Sequence, residues 1–187
     1  MNSSTLNFRA VTISGKVAVG TSTLSKNLQQ TLRWEYVNAG EIQRRYDRAH
    51  GIHENKQGAA SRPDAHEEEI DDMTKKMLST KKHIIYEAWL GGFMAQGIDG
   101  VLKVLVTCSV DSIRIDRVMN REKVSLDDAK HFIKQREDEN TVKWKKLYGD
   151  YDFWDPNYYD LVINTYSSGP METMGKVLDR LGFRNGK

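Results

Sequence analysis

Between Phe8 and Thr23 the chain reads FRAVTISGKVAVGTST, an apolar run that stops at a glycine and gives way to amphipathic residues. Gly15, Lys16, Val17, Ala18, Val19 and Gly20 fit the first six positions of the phosphate loop G-x-x-x-x-G-K-[ST], whose glycines let backbone N–H groups curl around a phosphate at a helix N-terminus. Ser22 holds the hydroxyl position that meets Mg²⁺ in such loops, and Thr23 follows it. One position departs from the pattern: Thr21 stands where a lysine reaches the β- and γ-phosphates. Two glycines five apart can mark no more than a turn. The β-rich run before them, and Leu24, Leu28 and Leu32 at helical spacing after them, favour a phosphate site.

Other residues with chemical potential lie further along. Glu87 closes the apolar stretch Lys82–Ala88, and the carboxyl end of a strand is where open α/β sheets place their chemistry. Arg114, Arg117 and Arg121 are three and four apart and share one helix face, with Arg136 on the next helix. They are either a solvated, charge-paired surface or a set of cations over a transferring phosphoryl group, where charge spreads on oxygens and water must be excluded. Arg44, Arg45 and Arg48 pose the same alternative. His50, His53 and His66 have no cysteine or compact carboxylate partner at ligand spacing, so no metal site is expected there.

The elements that must position these residues follow from pattern. With 187 residues, 39% hydrophobic and 29% charged, the chain suits one globular domain with a real core. No apolar run approaches the roughly 20 residues of a spanning helix. A net charge of +2 argues against a broad nucleic-acid surface. The single cysteine, Cys108, excludes disulfides within the chain. The N-terminus lacks the pattern of a secretory signal, which makes the cytoplasm the expected location. Strands are expected at 8–14, 34–37, 82–88, 101–108 and 159–163, with helices between every pair, hence a parallel sheet covered on both faces. Residues 50–63 read as a polar loop with its own mobility. Pro63 opens an acidic helix, Ser125 and Asp128 look like a capping box, and Gly169-Pro170 precedes a final helix ending near Gly182.

Several of these pieces, in this order, resemble the archaeal-type cytidylate kinase family of P-loop nucleoside monophosphate kinases. VTISGKVAVGTST resembles its phosphate-loop opening, and VNAGEIQRR the segment that carries its acceptor-binding arginine, here Arg44. SVDSIRIDRVMNREKVSLDDA, then QREDEN, KWKKLYG and YYDLVINT, follow its lid and final strand. The resemblance spans about residues 11–165. It implies a P-loop NTPase-type three-layer α/β/α fold with a five-stranded parallel sheet, an acceptor-binding insert over about 39–80 and a helical lid over about 112–148, all within one domain, 1–187. It further implies transfer of the γ-phosphoryl of ATP to CMP or dCMP with Mg²⁺ and no covalent enzyme intermediate, by a monomer or homodimer with no nucleic-acid or membrane partner. By position, Ser22 and Glu87 would serve the metal, Gly40, Arg44, Glu87 and Trp89 the acceptor, Arg117, Arg121 and Arg136 the transferring phosphoryl group, and residues 165–169 the adenine.

The chain departs from the family at Lys16, Val17 and Thr21 in the loop, at Gln43 in place of an aromatic, and at Trp89 in place of an arginine that contacts the acceptor. Arginine to tryptophan is no conservative change beside a phosphate. Lys16 is expected either to restore the charge lost at Thr21, in its own loop or from a neighbouring subunit, or to face solvent. Two alternatives to a cytidylate kinase therefore stand: a P-loop kinase of another small acceptor, favoured by Trp89, and a catalytically silent nucleotide-binding homologue, favoured by Thr21.

Overall fold

The computed structural model describes residues 6–52 and 59–184. Five parallel strands, β1 (Ala10–Ser14), β2 (Glu35–Asn38), β3 (Ile84–Glu87), β4 (Val101–Thr107) and β5 (Leu161–Asn164), form one sheet in the order β2-β3-β1-β4-β5. The two-residue alternation of the strands divides the core between the faces. Val11, Ile13, Ile85, Leu102, Val104 and Val106 pack on one side against Leu24 and Leu28 of α1 (Thr21–Leu32) and Val177 and Leu181 of α7 (Pro170–Leu181). Ala10, Ile84, Tyr86 and Val101 pack on the other side, with Ala39 of α2 (Ala39–Ala49) and Ile70 and Leu78 of α3 (Asp64–Thr80). Covering both faces is what makes β1, β3 and β4 nearly continuous apolar runs.

Between β3 and β4 the expected helix is one turn only, α4 (Gly91–Met94). It sits so close to the sheet that a Cβ at Gly91 would lie 2.1 Å from Thr12 Oγ1, and one at Gly92 would lie 2.2 Å from the Tyr159 ring. The longer pair α5 (Asp111–Glu122) and α6 (Leu126–Tyr148) follows β4 and meets the loop after β1 through Val17, Val118, Ala129 and Ile133. Ser125 caps α6, accepting from Asp128 N at 3.1 Å, but its hydroxyl also donates to Asp128 Oδ2 at 2.7 Å. That leaves the aspartate short of the reciprocal bond of a full capping box, which the longer glutamate makes.

Strand ends differ from expectation by a residue or two. β1 starts after Arg9, whose guanidinium reaches the carbonyls of Leu78 and Lys81. β5 starts after a 3₁₀ turn, Pro156–Tyr158, and after Tyr159, which donates to Phe153 O at 2.8 Å. Of the loop expected over 50–63, residues 53–58, His53 among them, lie outside the described residues; Ala59–Ser61 form a 3₁₀ turn. Among the described residues no helix is long and apolar enough to cross a membrane.

Candidate active site

The turn from β1 into α1 is shaped by its glycines. A Cβ at Gly15 would lie 2.5 Å from Val106 O, and Gly20 has φ +108°, where side chains are strained. Val17 and Val19 plug the loop into the core. Three consecutive loop carbonyls are held from outside: Val17 O by Arg114 Nε at 3.0 Å, Ala18 O by Arg117 Nη1 at 3.0 Å and Val19 O by Thr165 Oγ1 at 2.6 Å. A trans peptide points its N–H opposite to its C=O. The N–H groups of Ala18, Val19 and Gly20 are thus turned away from those donors. α1 begins with no side-chain cap, so its first amides remain open to an anion.

The loop and the start of α1 form one wall of a cavity of about 830 Å³. Ala18, Gly20, Thr21, Ser22 and Thr23 line it on this side; Tyr36, Asn38, Glu41 and Arg44 come from β2 and α2, Arg117, Arg121 and Glu122 from α5, and Arg136 from α6. Thr165, Ser168, Pro170 and Thr173 complete it next to α7, where the family resemblance places an adenine.

Four of these residues are arginines, and their partners differ. Arg44 pairs with Glu41 at 2.9 Å, and Glu41 also takes Arg48; hydrogen bonds from Arg44 and Arg48 hold the Glu41 carboxyl below its ordinary range. Arg121 pairs with Glu122 at 2.8 Å. Arg117 donates to Ala18 O and to Thr165 Oγ1. Among the described residues no carboxylate pairs with Arg136. Burial, and then the charge of Arg121, push its pKa down to about 10. A half-buried guanidinium without a counter-ion, facing a cavity with three more, is a site that an anion would stabilise. Arg114, expected on the same face, is instead structural: it is buried and ties Val17 O to Asp111 and Glu137.

Glu87 lies beneath the start of α1. Its Oε1 accepts from Thr21 Oγ1 at 2.8 Å and Ser22 Oγ at 2.6 Å; its Oε2 accepts from Tyr36 Oη and from Asn38 Nδ2 at 3.0 Å. Mg²⁺ takes one or two protein oxygens and fills the rest of its shell with phosphates and water. A hydroxyl and a carboxylate at the foot of a phosphate loop fit that demand.

Two expected residues stand away from the cavity. Lys16 does not line it: its ammonium lies 4.8 Å from the Trp154 ring centroid, on the wall of a second cavity of about 230 Å³ with Lys145 and Asp150. The ring face attracts the cation there. In this structure the Lys16 ammonium is thus directed away from the cavity that Thr21 lines. Trp89 is packed edge-on against Trp144 and Trp154, with ring centroids 5.6 and 6.2 Å away, and the Arg136 guanidinium lies 6.0 Å from its ring centroid. Gly40 opens α2, where a Cβ would press within 3.1 Å of Asn38 Oδ1. Tyr36 and Asn38 were not anticipated. Their only signal is their alternation on a strand whose pairing with β3 sets Asn38 beside Glu87.

A glycine-turned phosphate loop on the central strand of a 2-3-1-4-5 parallel sheet, opening on a cavity walled by arginines, defines the class: a P-loop kinase, a phosphotransferase. The chain belongs to the cytidylate kinase-like family, whose sequence model matches residues 10–167. It is 34% identical over 166 residues to a cytidylate kinase of Methanosarcina mazei, covering 88% of this chain and 91% of that one. Solved structures share the fold at low identity. A gluconokinase from Sinorhizobium meliloti superposes with TM-score 0.63 at 9% identity, covering 94% of this chain and 93% of its own. A shikimate kinase from Acinetobacter baumannii superposes with TM-score 0.58 at 11% identity, covering 92% of each.

Proposed function

We propose that the protein is a cytidylate kinase-type enzyme that transfers the γ-phosphoryl of ATP to CMP or dCMP with Mg²⁺. The observation that carries this reading is the convergence of Arg44, Arg117, Arg121 and Arg136 on the cavity that also holds the phosphate loop. A kinase of a neutral polyol needs cations for one set of phosphates, whereas an acceptor that is itself a phosphate needs a second set. Residues 39–80 then form the acceptor-binding insert, and 112–148 the lid.

In this account the N–H groups of loop and helix bind the ATP phosphates, while Arg117 fixes the loop by holding Ala18 O. Ser22 and Glu87 would hold Mg²⁺, which when bound neutralises the β- and γ-oxygens. Arg44 binds the acceptor phosphate and orients its attacking oxygen. That oxygen bonds to the γ-phosphorus as the bond to the β–γ bridging oxygen breaks, so ADP leaves and no enzyme-bound intermediate forms. Arg121 and Arg136 act on the charge that spreads over the transferring oxygens. Groups of this kind are each worth on the order of 10²-fold in rate in a water-excluded site.

A coupled ADP-release assay over CMP, dCMP, UMP, AMP and shikimate tests the reading. CMP and dCMP are expected to turn over fastest. Turnover confined to a non-nucleotide acceptor would replace the acceptor assignment, as Trp89 would favour. ATP binding without turnover on any of them would make the chain the silent homologue that Thr21 suggests.

A further inference from the structure

In the kinase reading Glu87 has a task at the metal, yet all of its hydrogen-bonding capacity is spoken for by four donors from two directions. Thr21 and Ser22 approach Oε1 from α1, and Tyr36 and Asn38 approach Oε2 from β2. A hydroxyl that meets a metal would do so through a lone pair and keep its hydrogen, so Thr21 and Ser22 can hold Oε1 with or without the ion. The pair on Oε2 fixes the carboxylate from its other side. That pair is braced in its turn: Asn38 Nδ2 also donates to Tyr36 Oη at 3.1 Å, and Asn38 Oδ1 caps α2 by accepting from Glu41 N at 3.1 Å. The amide is thereby fixed in orientation, with its nitrogen toward Glu87. Register supports the arrangement, since Asn38 stands opposite Glu87 in the β2–β3 pairing and Tyr36 lies two residues back on the same face.

Resting on the kinase reading, we infer that Tyr36 and Asn38 are positioning residues: together they aim the Glu87 carboxylate at the metal–nucleotide site. The same asparagine starts the helix that carries Arg44, so the carboxylate under the ATP loop and the acceptor wall share one anchor. Outer-shell hydrogen bonds of this sort typically govern about 10–100-fold in metal affinity or activity.

Calorimetric titration of the full chain with ADP, once with Mg²⁺ and once with EDTA, reads this without turnover. The wild type is expected to bind Mg·ADP more tightly than ADP. In Tyr36→Phe, which keeps the ring and removes the hydroxyl, that preference is expected to shrink by about tenfold. ADP binding in EDTA and the melting midpoint are expected to stay near wild type. At saturating substrates kcat should fall while KM for CMP holds within about twofold, a split that loosened packing alone would not give. Asn38→Ser retains an N-cap for α2 and removes the amide donor; it should behave in the same way and decides the matter if Tyr36→Phe does not fold. A wild-type Mg²⁺ preference retained in the folded variant overturns the inference. Absence of the preference in the wild type itself overturns the metal assignment of the kinase reading and takes this inference with it.

Discussion

Thr21 replaces a lysine with a hydroxyl that donates to Glu87, so the first turn of α1 gives up a cation and gains a tie to the strand beside it. Lys26 and the arginines around the cavity are what remain to meet phosphate charge, and among the described residues Arg136 is the arginine that no carboxylate pairs with and no carbonyl holds. Burial first, and then the charge of Arg121, lower its pKa against the opposing pull of Glu122, and a bound phosphate would oppose that shift. Lys16 offers a contrast at the same scale. It holds a loop position from which a lysine could reach phosphates, but its ammonium rests on Trp154. We therefore expect Lys16→Ala to keep kcat/KM within about threefold, far from the roughly 10²-fold loss of a cation acting on the transferring group. Steady-state kinetics with CMP and Mg·ATP checks this, and a loss of that larger size would mean that Lys16 leaves Trp154 during turnover. The loop register was legible from the spacing of Gly15, Gly20 and Ser22. The direction of Lys16 was not, because it is set by an aromatic residue far along the chain that only the fold brings near.

At the scale of elements, the acidic helix α3 buries part of its charge in a seam with α6. Glu67 and Asp71 on α3 are buried. Glu67 shares Arg62 with Asp47 of α2, at 2.7 and 3.0 Å, so α2, α3 and the turn between them close on one guanidinium. Lys143 of α6 donates to Arg62 O at 2.7 Å and pairs with Asp64. Asp71 accepts from Tyr148 Oη of α6; burial first, and then Glu67, push its pKa up to about 7, against the opposing pull of Tyr148 and Lys75. A carboxyl raised in the folded state binds its proton more readily there than when unfolded. Its contribution to stability is therefore full below pH 4, and is lost as the pH rises through 7. The wild-type melting midpoint should consequently gain on that of Asp71→Asn as the pH falls from 8 to 5, by the equivalent of on the order of 2 kcal/mol. A difference that stays flat across that range would show that Asp71 titrates as an ordinary exposed acid. Helical spacing exposed the apolar side of α3, from Ile70 to Leu78, but partners for its acids could not be read from it.

For the whole molecule, what was legible was what burial writes into a strand. β1, β3 and β4, covered on both faces, stand out as apolar runs, and their spacing implied the parallel sheet that the structure has. α4 was overestimated because two glycines pack it directly onto β1 and Tyr159, leaving room for a single turn. The network around Glu87 needed the β2–β3 register, which no local pattern contains. The same architecture brings the loop after β1, the helix after β2 and the α5–α6 pair to one cavity, with α7 closing its far side. In the kinase reading this cavity passes a phosphoryl group directly from ATP to a phosphorylated acceptor under the arginines. Single-turnover transfer from γ-labelled ATP, with saturating CMP and Mg²⁺, tests it most directly in the wild type and Arg136→Met. The account predicts that label appears in CDP and not in free phosphate, and that Arg136→Met slows its appearance by about 10²-fold or more. Label passing to water, or wild-type CDP formation in Arg136→Met, would contradict it.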